Sequence, residues 1–456
     1  MGILNELLSS VLFWAAWIII PFIMEIVPSI GSIVILIRKH IHPDRIDKPA
    51  IDPEITLLIP VYNSEDTLEA CLKSVNDSDY PNDRIRIFVV NNQGKDNSFD
   101  VFAKCQKEYP DLIMQWMNAK QGKSRALNLA LFNSSGKYII NIDSDGFLEK
   151  SALKNMVYCF ENHPEFDCMT GAILTDQDAI MKYRRGKSRL LRRLEYVEYA
   201  QAFLAGRSYA SEANAVYTLS GAFSAFRKSS VLKSQLYNTD TICEDTQLTF
   251  QMRYLQNGRV GICESAIFFV DPIENMDKLY TQRQRWQRGS LEVSHMFLKD
   301  RARIRNMFTS PTVRTLVYDH TFAFPRLIWY LALICLLFMN YNPRLIIFST
   351  LFLFGMYIVL NYFYYFSTLG YLSEFPEIHK FYQRQWTIIP LMPFFNLMVF
   401  FIRFMGIINS IGTASSWKTA NLHEEKDKVK RIFDQDFARL HAVIERVDHF
   451  VNTEES

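Results

Sequence analysis

The chain lacks any strong excess of charge: 50 Lys and Arg against 48 Asp and Glu leave a formal net charge of +2. A bulk electrostatic basis for nucleic-acid binding is therefore missing. It also lacks a C-x-x-C pair, and its seven cysteines (Cys71, Cys105, Cys159, Cys168, Cys243, Cys263 and Cys335) are odd in number and scattered. Free thiols in a reducing compartment are the simpler expectation. No G-x-x-x-x-G-K-[ST] loop occurs, so an ATPase site is not supported. There is no internal repeat and no low-complexity tract. No Lys or Arg precedes Arg38, so the apolar amino-terminal stretch has no basic n-region and cleavage as a signal peptide is not expected.

The apolar and charged residues that are present are segregated. The 456 residues suffice for about three structural units. With 49% apolar and 21% charged residues, neither a disordered polyampholyte nor a chain lying mostly in membrane fits. Charges crowd between Arg38 and Asp319 and again after Trp417. The run Val11 to Ile37 is long enough to cross a bilayer. Arg38, Lys39, Arg45 and Lys48 come directly after it, which places the chain beyond this run in the cytoplasm by the positive-inside rule. Three further apolar runs are Thr321 to Met339, Leu345 to Phe366, and Trp386 to Ile411 with Pro390, Pro393 and Arg403 inside it. The last reads as a kinked or partly interfacial span, and Glu374 to Trp386 as an interfacial helix.

From Ile55 to about Arg305, short β-rich runs alternate with helical stretches. Ile55 to Tyr62, Arg84 to Asn92 and Lys137 to Asp145 are separated by amphipathic segments. That alternation predicts βαβ units in a mostly parallel sheet, with ligands at the carboxyl ends of the strands. All three runs end in polar residues.

Each chemical motif has two readings. Asp143-Ser-Asp145-Gly146 is a turn by composition, or two carboxylates leaving a strand end together to hold a divalent cation and through it a diphosphate. Gln121-Gly-Lys123-Ser-Arg125 is an ordinary helix start, or it brings Lys120, Lys123 and a helix N-terminus to a nucleotide's negative charge. Glu244-Asp245 either caps a helix or supplies a general base, for which Asp245 is the candidate. Gln282-Arg-Gln-Arg285-Trp286 is a lipid-facing basic stripe, or one face of a cleft combining cation, indole and amide. Ser220-Gly221-Ala-Phe223 is a turn, or a small-residue loop that lets a substrate approach the backbone. The seven Lys and Arg between Lys182 and Arg193 read as a solvated or phospholipid-facing helix.

The order of these motifs, Pro60 to Asn63, QGKSRALN, DSD, SGAFSAFRK, EDTQLTF and QRQRW, resembles that of membrane-embedded family-2 glycosyltransferases. That group includes poly-N-acetylglucosamine, hyaluronan and cellulose synthases. The likeness spans about Ile55 to Gly289, and the whole chain is also similar to the exosortase-associated glycosyltransferases of Gram-positive bacteria.

The resemblance implies an α/β fold, a cytoplasmic GT-A domain with a Rossmann-like mixed sheet, inserted between transmembrane and interfacial helices. It places a transmembrane segment over 1–40, the GT-A domain over 50–305, transmembrane and interfacial helices over 315–412, and a charged tail over 413–456. It implies inverting transfer, dependent on Mn2+ or Mg2+, from a UDP-sugar to a hydroxyl of a growing polysaccharide or glycolipid. By the family pattern Pro60, Tyr62, Lys123 and Asp143 would bind the donor, with Asn92 placed beside them at the end of the second strand, and Asp145 would ligate the metal. Asp245, with Glu244 beside it, would be catalytic. Ser220, Gly221, Gln282, Arg285 and Trp286 would hold the diphosphate and acceptor. Where many relatives carry acids after the second strand to hold uracil, this chain has Asn91-Asn92-Gln93-Gly94; amides can still hydrogen-bond a base. The expected setting is a multi-pass cell-membrane protein with the bilayer, and protein components of a cell-surface assembly system, as partners. Single-sugar transfer to a lipid-linked acceptor and a non-catalytic nucleotide-sugar scaffold are the competing readings.

Overall fold

The computed structural model describes residues 26–183, 186–298 and 343–412, with isolated positions outside these ranges. The expected first span before residue 26, most of Thr321 to Met339 and almost all of the tail lie outside the described residues. Helix α1 (Val27–Ile41) leads into β1 (Ile55–Val61), α2 (Leu68–Asn76), β2 (Ile85–Asn91), α3 (Ser98–Glu108), β3 (Ile113–Asn118) and α4 (Lys123–Asn133). Then come β4 (Tyr138–Ile142), β5 (Gly146–Leu148), α5 (Ala152–Asn162), β6 (Phe166–Thr175) and α6 (Lys187–Ala200). A π-helical segment, Gln201–Gly206, joins α6 to α7 (Arg207–Glu212). The chain continues through β7 (Phe223–Arg227), α8 (Glu244–Tyr254), β8 (Arg259–Val270) and α9 (Met276–Leu298), and then α10 (Pro343–Tyr371), α11 (Pro376–Gln383) and α12 (Met392–Gly412).

Among the described residues the strands form one eight-stranded sheet in the order β3-β2-β1-β4-β7-β6-β8-β5. β3, β2, β1 and β4 run parallel, as the alternating pattern predicts. The other half is mixed: β6 and β8 run parallel, whereas β7 is antiparallel to both β4 and β6, and β5 is antiparallel to β8. β1 is buried along its whole length because helices cover both faces of the sheet. On one face Leu57, Ile59, Ile87, Val89, Tyr138 and Ile140 share a core with α2, α3 and α5. On the other, Leu58, Phe88, Val90 and Ile139 meet α4 and α8. Each fully buried aliphatic side chain here contributes about 1.5–3 kcal/mol.

A further core ties the sheet to the apolar helices. Ala172, Leu174 and Ile267 of β6 and β8 pack with Tyr196, Val197 and Leu204, and these with Tyr365, Leu372, Tyr382, Met392 and Phe395. Two helical stretches, Ile346–Tyr371 and Ile389–Ser410, are long and apolar enough to cross a membrane. The run from Trp386 is not one helix: Arg384–Thr387 and Ile389–Leu391 form 3₁₀ turns around Pro390, and α12 begins only at Met392. Arg403 within it is accommodated by packing, since its Nε donates to Gln287 Oε1 on α9 at 2.8 Å. Asn409 Nδ2 likewise donates to Gln284 Oε1. At the end of α1, Lys39 bridges Glu264 at 2.7 Å and Glu212 at 3.1 Å, and the His40 ring lies 4.4 Å from that of Tyr371. Helix α1 is thus fastened to β8, α7 and α10 together.

The stretch Lys182 to Arg193 is only partly solvated. Arg192 is buried, with its guanidinium 3.5 Å from the Tyr183 ring centre and a hydrogen bond to the Glu274 carbonyl. Farther along α6, burial pushes the Glu195 carboxyl up to about 7 against the pull of the Ile273 N–H and Arg283. A carboxyl raised above its ordinary 4.5 favours the folded state fully below about 4.5, and the advantage is lost as pH rises through about 7. Glu195→Gln should therefore flatten the fall in thermal midpoint between about pH 5 and pH 8. An unchanged slope would show that Glu195 ionises freely in the folded protein.

Candidate active site

The parallel strands β1, β2 and β4 end at the same sheet edge, where open α/β sheets bind ligands. Pro60 can sit in a central strand because the β1–β4 ladder stops at Leu58↔Asn141, so its missing N–H leaves no partner unsatisfied on that side. Beyond it Tyr62 is exposed and Asn63 turns the chain at φ 50°. At the end of β2, Asn92 Oδ1 accepts from Gly122 N at 2.5 Å. Gly122, at φ 129°, allows the tight entry into α4 that this bond requires. The amide of Asn92 is thereby used to hold the loop that presents Lys123.

Lys123 is the hub of the site. Its Nζ lies 2.5 Å from Asp143 Oδ1 and 3.7 Å from Glu244 Oε1. Burial works to lower its pKa, but Asp143 and Glu244 outweigh it and hold the ammonium charged. Glu244 is buried beneath this lysine, and burial pushes its carboxyl up to about 7 despite Lys123. Asp145 lies two residues beyond Asp143 and is exposed at the open cleft. Among the described residues it forms no ion pair; withdrawal from water, and then the charge of Asp143, push it up to about 6 against the pull of Lys123.

The loop Ser220–Ala222 crosses this edge. Asn141 Nδ2 donates to the Gly221 carbonyl at 2.7 Å, and Asp143 N donates to the Ala222 carbonyl at 3.1 Å. Gly221 N donates to Asp245 Oδ2 at 3.0 Å, and Thr246 N to Asp245 Oδ1 at 2.6 Å. A β-carbon on Gly221 would meet Asp245 Oδ2 at 3.1 Å and Lys123 Nζ at 3.5 Å. The two N–H donors fix the Asp245 carboxylate and leave each oxygen further lone-pair capacity. Ser220 is tied by its N–H to Thr170 Oγ1 at 3.1 Å.

Helix α9 forms the other wall. Its Gly289 lies directly against Cys243, the residue before Glu244, so that α9 and the start of α8 touch. Arg285, one turn earlier, is near enough for its charge to act on the Cys243 thiol. Trp286 is partly exposed, and Gln282 Oε1 accepts from Arg283 Nη1 at 2.8 Å. A methyl group on Gly289 would overlap Cys243 Sγ. Gly289→Ala should destabilise the protein by about 1–3 kcal/mol, and adding Cys243→Ala should recover most of the loss; thermal midpoints of the two variants check this.

Two residues given no role in the motif reading belong to the same surroundings. Arg283 is buried, pairs with Glu198 at 2.5 Å, and lies over the Trp286 ring at 4.4 Å and the Tyr199 ring at 5.3 Å. Helical spacing carried the signal, since Arg283 precedes Trp286 by three positions. Arg207 donates to Thr170 Oγ1 at 3.1 Å with its guanidinium over Phe203, close enough to Asp245 for their charges to interact. No short motif marks it.

The sheet order, with its acidic strand end and the Gly221–Asp245 junction, is that of a GT-A fold, and residues 56–233 match the model of Glycosyl transferase family 2. Over 277 residues it is 29% identical to the poly-beta-1,6-N-acetyl-D-glucosamine synthase of Staphylococcus aureus (strain MSSA476), covering 60% of this chain and 64% of that protein. The synthase of the same name from Staphylococcus epidermidis is 27% identical over 239 residues, covering 52% of this chain and 55% of that one. The chain thus spans less than two thirds of the length of these curated relatives. In fold it is similar to the mannosyltransferase PcManGT from Pyrobaculum calidifontis, solved with GDP-Man and Mn2+. The TM-score is 0.55 at 15% identity, over 79% of this chain and 98% of that one.

Proposed function

We propose that this protein is an inverting, metal-dependent glycosyltransferase that moves a sugar from a UDP-sugar to a hydroxyl of a growing polysaccharide or glycolipid at the membrane. The observation that carries the reading is the convergence of Asp143, Asp145, Lys123, Gly221 and Asp245 at one sheet edge. The names of the staphylococcal relatives support a polysaccharide product and make N-acetylglucosamine the first sugar to test.

Among the described residues no cluster of three or more His, Cys, Asp or Glu side chains could hold a metal ion, so a hard divalent cation would rest on Asp145 and take its other ligands from the donor. Asp145 is a cleft-facing carboxylate without a cationic partner among the described residues, held up to about 6 by its surroundings. A bound cation would relieve that penalty, while diphosphate oxygens supply further hard ligands. Asp145 would hold the ion, and Asp143 would aid donor binding. When bound, Mn2+ or Mg2+ supplies positive charge to the diphosphate leaving group.

The chain's own groups supply the rest. Pro60, Tyr62 and Asn92 border the nucleotide, and Lys123 and Arg285 place fixed positive charge toward the diphosphate. Glu244 serves by holding Lys123. Asp245, fixed by Gly221 and Thr246, accepts the proton of the acceptor hydroxyl as its oxygen bonds to the anomeric carbon. The bond from that carbon to the diphosphate oxygen breaks, and its electron pair leaves with the nucleoside diphosphate. Attack opposite the leaving group inverts the anomeric centre. Gln282 and Trp286 flank the acceptor, the indole providing an apolar face for a sugar ring. Helices α10 and α12, each with a stretch long and apolar enough to cross a membrane, seat the domain at the bilayer.

Purified protein incubated with UDP-N-acetylglucosamine, Mn2+ and membrane lipid should release UDP and yield a sugar-bearing product. A ladder in the mass spectrum identifies polymer, and one mass increment identifies single transfer. Absence of UDP release with every UDP-sugar offered would contradict the proposal.

A further inference from the structure

The start of α6 carries charge that the transfer chemistry does not use. A cavity of about 290 Å³ is lined by Gly186, Arg189, Leu190 and Arg193. The two arginines are four residues apart and so share a helix face. Their hydrogen-bond partners among the described residues are neutral: Met181 Sδ for Arg189, and Gln385 Oε1 and the Arg384 carbonyl for Arg193. Arg189 Nε is buried without a partner. Burial, and after it the charge of Arg189, hold Arg193 below the ordinary arginine range. Two guanidiniums on one helix face, with no acidic partner among the described residues, form an arrangement that an anion with several oxygens relieves, and phosphate matches the guanidinium fork.

The position of the cavity identifies the source of that phosphate. Arg193 is bonded to the turn Arg384–Thr387, which leads from α11 toward the apolar α12. Trp386 in that turn is 58% exposed, and Leu391 and Phe394 beyond it are exposed as well. An exposed indole at the head of an apolar helix marks the headgroup level of a bilayer. Met181, Tyr183 and Leu190 are exposed near the arginines, and Leu190 gives the cavity an apolar side.

We propose that this cavity binds the phosphate group of an anionic phospholipid, with Arg189 and Arg193 as its ligands. The inference rests on the reading of α10 and α12 as membrane helices and is independent of the transfer chemistry. In the test, full-length protein in uncharged detergent, without nucleotide sugar, is titrated with dioctanoyl phosphatidylglycerol, dioctanoyl phosphatidylcholine or inorganic phosphate. Phosphatidylglycerol should bind saturably and more tightly than the other two. Each arginine should contribute about fivefold, so that Arg189→Gln with Arg193→Gln weakens binding roughly 30-fold. Lys104→Gln, on exposed α3, should leave it unchanged. Because Arg193 also fastens the Arg384 turn, Arg189→Gln alone serves as the variant that spares this contact, with about a fivefold loss. Equal binding of phosphatidylcholine, equal binding of inorganic phosphate, or unaltered affinity in both variants would each overturn the proposal. UDP release measured on the same preparations separates its failure from that of the transferase reading.

Discussion

Asp245→Asn should slow sugar transfer by about 100- to 10,000-fold, the range that loss of a positioned general base produces. The substitution is close to isosteric, and the remaining amide oxygen can still accept from Gly221 N or Thr246 N, so the Ser220–Ala222 loop should keep its place. What disappears is the ability to take a proton. The expected pattern is a fall in the rate of UDP release, with little change in donor affinity and in thermal midpoint. Glu244→Gln separates the two acids. Glu244 is buried beneath Lys123 and touches the reaction only through it, so donor affinity should fall more than the maximal rate. Asp245→Asn turning over at the wild-type rate would remove the base from the mechanism.

Asp145→Asn should cost about a thousandfold in turnover, the scale of losing cation stabilisation at a diphosphate leaving group. Its second signature is independent of rate. The wild type should bind Mn2+ in the presence of UDP, seen by calorimetry or by electron paramagnetic resonance, and the variant should not. Removing a charge that the neighbouring Asp143 and partial withdrawal from water already disfavour should also leave the variant at least as heat-stable as the wild type without metal. Asp143→Asn should behave differently, because Asp143 is committed to Lys123 at 2.5 Å. Its loss frees a buried ammonium and should lower stability as well as donor binding. Unaltered Mn2+ binding by Asp145→Asn would place the cation elsewhere.

Much of the parallel half of the sheet was legible because β1, β2 and β4 are apolar runs with polar ends, the mark of strands covered on both faces. β3 was less visible, an edge strand in which only Met114 is buried. The reversed strand β7 eluded the alternation rule because it comes after the long excursion of α6, the π-helical segment and α7, and enters beside β4 in reverse. Motif order pointed to the residue types at the site but not to their contacts. Lys123 and Asp143 are 20 positions apart, Gly221 and Asp245 are 24, and Lys123 and Gly221 are 98. The pairing of Asn141 with Ser224 and the seating of α8 bring them together. Arg283 and Arg207 carry a cation whose meaning depends on Glu198, Thr170 and Asp245, partners distant in sequence. Arg192 shows the converse, a residue in a basic run whose helix turns it inward onto Tyr183.

The transferase reading stands or falls most directly on product formation by the purified full-length chain with UDP-N-acetylglucosamine, read by product mass and anomeric configuration. The expected result is one UDP released per sugar incorporated, an inverted anomeric centre, loss of both on chelation of the cation, and restoration by Mn2+. Sugar transfer that is insensitive to chelation, a retained configuration, or no incorporation from any UDP-sugar would contradict it.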